Sequence, residues 1–148
     1  MHREFAIGAL AEGGVVILDE RAIARNPVIR IELEQVIAEE QERLRNYQAR
    51  FHREGVLDLA GKRVLLVDDG LATGSTTEAA VLSARSRQAA NILVAAPVGS
   101  TSAVDRLERV ADQVRVLHID PNFDAVGRYY DEFSQTTDDE VIQLLPAR

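Results

Sequence analysis

Two adjacent carboxylates, Asp68 and Asp69, stand just before a small-residue loop, Ala72-Thr73-Gly74-Ser75-Thr76. The loop offers hydroxyls and close backbone access. Those groups donate hydrogen bonds to an anion with several oxygens. Carboxylates cannot bind that anion directly. They suit hydroxyl groups or a cation instead. A sugar phosphate is the simplest ligand that uses both halves.

The neighbouring residues must hold this arrangement. Val64-Leu65-Leu66-Val67 is a short continuous apolar run ending at the acids, and it reads as a strand buried on both faces. Glu78-Ala79-Ala80-Val81-Leu82 begins a helical pattern. The loop between them then lies at a helix N-terminus, where unpaired N–H groups and the helix dipole favour an anion.

The residues 64–77 resemble the ribose-phosphate motif of the type I phosphoribosyltransferases. That motif is four apolar residues, an acid, Asp, two apolar residues and a small Thr-Gly-x-Thr loop. Gly70 departs from it, because an apolar residue is commoner there. Glu4-Phe5-Ala6-Ile7-Gly8-Ala9 with Gly13-Gly14, and Val126 to Gln135, look like an uncharacterised bacterial branch of the family. The resemblance implies a Rossmann-like α/β fold, a parallel sheet flanked by helices, over one domain at 1–148. It implies transfer of 5-phosphoribose from phosphoribosyl pyrophosphate to a nitrogenous base. By the same resemblance, residues 72–76 would hold the 5′-phosphate. Asp68 and Asp69 would be the catalytic carboxylates, meeting the ribose hydroxyls or Mg²⁺ through water. Ala72 stands where the hypoxanthine–guanine enzymes carry an acid/base Asp, so the loop looks more like the adenine or orotate types.

Full-length relatives begin with a helix, a strand and a glycine loop that grips pyrophosphate, a unit that should precede Glu4. The expectation from the sequence as given is therefore a shortened fold with very low turnover. A catalytically weak domain that binds a nucleotide or sugar phosphate as a sensor is the alternative. An uncovered edge or face would favour a homodimer, with the 27–51 helix or the first fourteen residues at the contact.

Other phosphate chemistries fit less well. The Gly-Lys-Ser/Thr ending of a P-loop is missing, as is a G-x-G-x-x-G fingerprint. A receiver domain also opens with a strand ending in two aspartates. It would need a later acceptor Asp and Lys, yet the next strand ends Ala95-Ala96-Pro97-Val98 and Lys62 is the only lysine. A plain N-cap by Ser75 or Thr76 explains the hydroxyls, but not the acids.

The rest of the chain predicts alternating elements. Residues 1–14 read as a loop or ragged start, and Val15–Leu18 as a strand ended by Asp19-Glu20. A helix is expected from Pro27 to Phe51, capped by Asn26, with Leu33, Val36, Ile37, Leu44, Tyr47 and Phe51 apolar and its acids and arginines in solvent. Asp58 to Gly61 is a turn. A helix follows over 76–87, a strand over 91–98 ended by Pro97, a helix capped near Ser100 running to Ala111, and a strand over 113–119. Such alternation predicts βαβ units and a parallel sheet, with ligands outside the carboxyl ends of the strands. Asp68, Asp69, Pro97 and Asp120 would gather there.

Phe123, Tyr129, Tyr130 and Phe133 form an aromatic group and read as a C-terminal flap. Phe123 and Tyr130 are the candidates to stack on a base, since this region covers the base site in related transferases. Thr137 caps a last helix through Leu145. His2, His52 and His118 are dispersed and suggest no metal site or triad.

The chain has 148 residues, no cysteine and a net charge of −7. It offers neither a disulfide framework nor a thiolate metal site. The absence of a basic tract argues against nucleic acid as the main partner. No apolar run approaches a signal core or membrane span, so the cytoplasm is the expected location. The expected partners are phosphoribosyl pyrophosphate or a nucleoside monophosphate and a second copy of the chain. The expected cofactor is Mg²⁺. Its charge, the loop amides and a few arginines must overcome an unfavourable overall field.

Overall fold

The computed structural model describes residues 8–11, 15–18, 29–51 and 57–144. Strands β1 (Gly8–Ala11) and β2 (Val15–Leu18) pair antiparallel. Helix α1 spans Ile29–Phe51. Then come β3 (Arg63–Val67), α2 (Ser75–Ser86), β4 (Asn91–Ser100), α3 (Thr101–Leu107) and β5 (Gln113–Asp120). A 3₁₀ turn (Val126–Tyr129) and α4 (Asp138–Leu144) follow.

Strands β3, β4 and β5 form a parallel sheet in that order. Sequential order with right-handed crossovers places both connecting helices on one face. The core lies on that face. Ile92, Val94 and Ala96 of β4 pack with Val81 and Ala84 of α2 and with Ala103 and Leu107 of α3. Val64 and Leu66 from β3, and Val114 and Val116 from β5, complete it.

The alternate residues face the other way. Val67 is 72% exposed and Leu117 is 90% exposed, with Leu65 and Ile119 also open. The expectation that 64–67 is buried on both faces is therefore corrected. An apolar run shows that a strand forms, but the crossovers decide which face is covered. Leu65, Val67, Leu117 and Ile119 make an open apolar surface on this sheet face.

Helix α2 buries two stripes. Thr77, Val81 and Ala84 recur at i, i+4 and i+7, and Val81 and Ala84 join the core. Ala79 and Ser83 form a second buried pair. The β1–β2 hairpin contacts α2 as well as the sheet does, so small residues suit both sides. Strand β1 corrects the reading of 1–14 as loop. Three small residues, Gly8, Ala9 and Ala11, around Leu10 give no clear alternation, and only pairing with β2 makes them a strand.

Helix α1 starts at Ile29, so the proposed Pro27 start and Asn26 cap lie outside the described residues. Its Glu39, Glu40, Glu42, Arg43 and Arg45 are exposed as expected, and Glu40 pairs with Arg43 at 3.5 Å. Pro97 does not end β4. The strand continues to Ser100, and Pro97 has no register partner on either side. Its missing N–H is tolerated because β3 has left the ladder there. The last β3 pair is Val67↔Ala95, and contact resumes at Leu71↔Gly99.

Helix α3 stops at Leu107, short of Ala111. Ser100 caps it by accepting from the Ala103 N–H at 3.0 Å. Thr137 and Glu140 form a reciprocal capping box at α4. The Thr137 N–H donates to Glu140 Oε2 at 2.7 Å, and the Glu140 N–H to Thr137 Oγ1 at 3.3 Å.

Candidate functional site

The departure of β3 from the ladder creates the site. The Asp68 N–H still donates to Ala95 O at 3.1 Å, and the Leu71 N–H returns to Val98 O at 2.9 Å. Between them, Asp68, Asp69 and Gly70 loop off the carboxyl end of the sheet. Leu71 is fully buried and anchors the return.

Asp68 is held by the protein. Its Oδ2 accepts the Thr77 hydroxyl at 2.9 Å, and its Oδ1 accepts the Asp69 N–H at 2.9 Å. Asp69 is exposed. Its carboxyl is raised above the usual range, first by partial burial and then by the Asp68 charge; nearby backbone amides pull it the other way. A cation or a set of ligand hydroxyls beside the pair would relieve that repulsion. The residues therefore fit Mg²⁺ held through water and ligand oxygens. Among the described residues, no cluster of three or more acids or histidines could bind a metal by itself.

Of residues 72–76, Ala72 to Gly74 form the loop and Ser75 and Thr76 open α2, with Gly74 as N-cap in the left-handed region at φ 72°. Gly74 has no side chain to cap the helix, and the first helical N–H, that of Ser75, donates to Thr73 Oγ1 at 3.4 Å. This sets aside Ser75 or Thr76 as an ordinary N-cap. Gly74 meets two demands. Its φ suits glycine, and a Cβ would lie 3.3 Å from the Cβ and O of Ala103. Thr73 Oγ1 donates to Ser75 Oγ at 3.2 Å. Ser100 Oγ donates to Ala72 O at 2.6 Å, tying the loop to the end of β4. Ala72, Thr73 and Thr76 are exposed. The structure thus brings residues 72–76 and the acids to the same strand end.

The segment 123–133 borders that end. The Tyr130 hydroxyl donates to Asp69 O at 2.6 Å, and its ring lies 5.2 Å from that of Phe133. The Tyr129 hydroxyl donates to the Asp120 carboxylate at 2.6 Å. That bond is the main cause holding Asp120 below its usual pKa. Phe123 stacks on Tyr129 at 5.4 Å. Of the two base-stacking candidates, Tyr130 reaches the acidic pair directly. Phe123 uses one ring face on Tyr129. Gly70, the motif's odd residue, also has a physical reason. A Cβ there would fall 2.6 and 2.8 Å from the Val126 methyls.

A model of the phosphoribosyl transferase domain matches residues 5–133. The chain belongs to the phosphoribosyl transferase domain family. Two Mycobacterium tuberculosis proteins, MT0597 of strain CDC 1551 and Rv0571c of strain H37Rv, are each provisionally designated a phosphoribosyl transferase. Each is 35% identical over 96% of this chain and 32% of its own length. This chain thus spans about a third of those relatives. The crystal structure of TT1426 from Thermus thermophilus superposes with a TM-score of 0.70 at 37% identity. The match covers 93% of this chain and 65% of that one.

In this phosphoribosyl transferase domain, the residues that sequence reasoning missed are those that support the motif from elsewhere. Thr77 was legible as one more hydroxyl after the loop, yet its bond to Asp68 needs the strand and helix placed side by side. Arg106 had no local signal. It lies 31 residues from Ser75 and donates to Ser75 Oγ at 3.3 Å and to Glu78 Oε2 at 2.9 Å.

Proposed function

We propose that this domain binds phosphoribosyl pyrophosphate or a nucleoside monophosphate and transfers 5-phosphoribose to a nitrogenous base. The observation that supports the reading is the start of α2 at Gly74, which brings no capping side chain, placed just after two acids at the end of β3. The 5′-phosphate sits on Ala72 to Thr76, where amides and hydroxyls donate to it. Asp68 and Asp69 accept from the ribose hydroxyls. Thr77 fixes Asp68, so one carboxylate is oriented before the ligand arrives.

In the transfer, the base nitrogen forms a bond to ribose C1 as the C1–oxygen bond breaks. Pyrophosphate leaves with the electron pair, and the base gives up a proton. Positive charge develops at C1, and two nearby carboxylates favour it electrostatically. Asp68 and Asp69 would help to hold Mg²⁺, which when bound would supply charge neutralisation for the pyrophosphate. Tyr130, anchored through its hydroxyl, is the better placed of the two aromatic candidates to flank a base.

Calorimetry with phosphoribosyl pyrophosphate, nucleoside monophosphates and Mg²⁺ tests the binding. Pyrophosphate release across a panel of bases tests the transfer. Binding with release supports the full reading. Binding without release makes this a nucleotide-binding domain. Failure of a folded sample to bind any of these ligands overturns both.

A further inference from the structure

Ser75 is the first residue of α2, and its hydroxyl has an unusual set of partners. Its Oγ accepts from Thr73 Oγ1 at 3.2 Å and from Arg106 Nη1 at 3.3 Å. Thr73 Oγ1 in turn accepts the Ser75 N–H at 3.4 Å, so its own proton is free to go to Ser75. A hydroxyl has two lone pairs and one proton. Here both lone pairs are used. Among the described residues, nothing accepts the proton. Ser75 is left as a donor at the loop.

The same Arg106 nitrogen lies 2.9 Å from Glu78 Oε2. Glu78 occupies the first turn of α2. A carboxylate there competes with an anionic ligand for the positive end of the helix. It also adds to a chain charge of −7. The guanidinium carries donors and no acceptor, so it counters Glu78 and presents Ser75 with a donor.

We propose that Arg106 is a positioning residue for the phosphate loop. It sets the Ser75 hydroxyl as a donor and cancels the charge of Glu78, so that the start of α2 stays receptive to a phosphate group. This rests on the reading of residues 72–76 as the phosphate site. The ligand class is a 5′-phosphorylated ribose. Arg106 acts on it through Ser75 and Glu78.

The test is titration of the full chain with nucleoside 5′-monophosphates, beside thermal melts of each variant. Arg106→Gln is expected to weaken binding about tenfold, the size of one lost charge-assisted interaction. Arg106→Lys, which keeps charge and one donor, should recover part of that loss. Glu78→Gln should bind as tightly as wild type or tighter, because it removes the competing charge. A pair that merely braced the fold would lower affinity and melting temperature together in either variant. Arg109→Gln is the charge control. That exposed arginine has no side-chain bond among the described residues.

Wild-type affinity in Arg106→Gln would overturn the proposal. So would an equal loss in Arg109→Gln, or weaker binding in Glu78→Gln. If Arg106→Gln fails to fold, Arg106→Lys and Glu78→Gln still decide by the same criteria. Absence of any monophosphate binding in folded wild type would instead reject the phosphate site, and this inference with it.

Discussion

Asp69 is the residue at which pH should act. A carboxyl raised in the folded state holds its proton more tightly there than in the unfolded chain. The fold thus gains from protonation at low pH. It loses that gain as pH rises from the unfolded value, about 3.9, through the raised folded value. Asp69→Asn is therefore expected to melt slightly higher than wild type at neutral pH, with the gap closing in acid. The same variant should bind ribose phosphates about tenfold more weakly, as for loss of one charged hydrogen-bond acceptor. Its affinity for inorganic phosphate should barely move. Thermal melts over pH and paired titrations measure both. Equal weakening for the two ligands would separate Asp69 from the ribose.

Gly74 carries a second prediction at this scale. Its φ of 72° and its distance to Ala103 both resist a side chain. Gly74→Val should cost about 1–2 kcal/mol of stability from the left-handed backbone alone, and should also weaken phosphate binding. Gly61 makes a matched control, with φ 70° and nothing within 4 Å of an added Cβ. Gly61→Val should show a similar backbone cost without the binding loss. Denaturant unfolding and phosphate titration on both variants would distinguish strain from obstruction.

The segment over 126–133 is joined to the β3 loop by packing. Val126 fills the place that a side chain at residue 70 would take, and Phe133 lies 3.0 Å from where a Cβ on Gly127 would be. Gly70→Ala should therefore overpack the junction and cost about 1–3 kcal/mol. Val126→Ala in the same chain should return most of that loss, because it clears the two methyls. A double-mutant cycle by urea unfolding measures the coupling. Additive losses would show that the two residues do not share this space. Tyr130 adds a polar tie to the same loop, through Asp69 O.

On the whole molecule, the apolar open face is a larger feature than any single exposed residue. Leu65, Val67, Leu117 and Ile119 stand on the sheet face opposite the core. Leu117→Gln should leave the fold intact within about 0.5 kcal/mol, as for an ordinary exposed site. If this face serves the association expected from the sequence, the variant should also sediment as a smaller species than wild type. Analytical ultracentrifugation over a concentration series checks it. Identical sedimentation would remove Leu117 from any contact.

The sequence determined what is local. The apolar run 64–67, the paired acids, the small hydroxyl loop and the alternation of strand and helix patterns were each set by neighbouring residues. They implied a parallel α/β sheet with the loop at a helix start. Tertiary structure decided what depends on contacts across the chain. The strand at 8–11 needed β2 beside it. The place of Pro97 inside β4 needed β3 to leave the ladder beside it. The fit of Gly70 needed Val126, and Arg106 had to cross from α3 to reach Ser75 and Glu78. The physical reason is range. Periodicity and capping act over a few residues. Steric fit and hydrogen bonds between distant segments exist only once the backbone has brought them together.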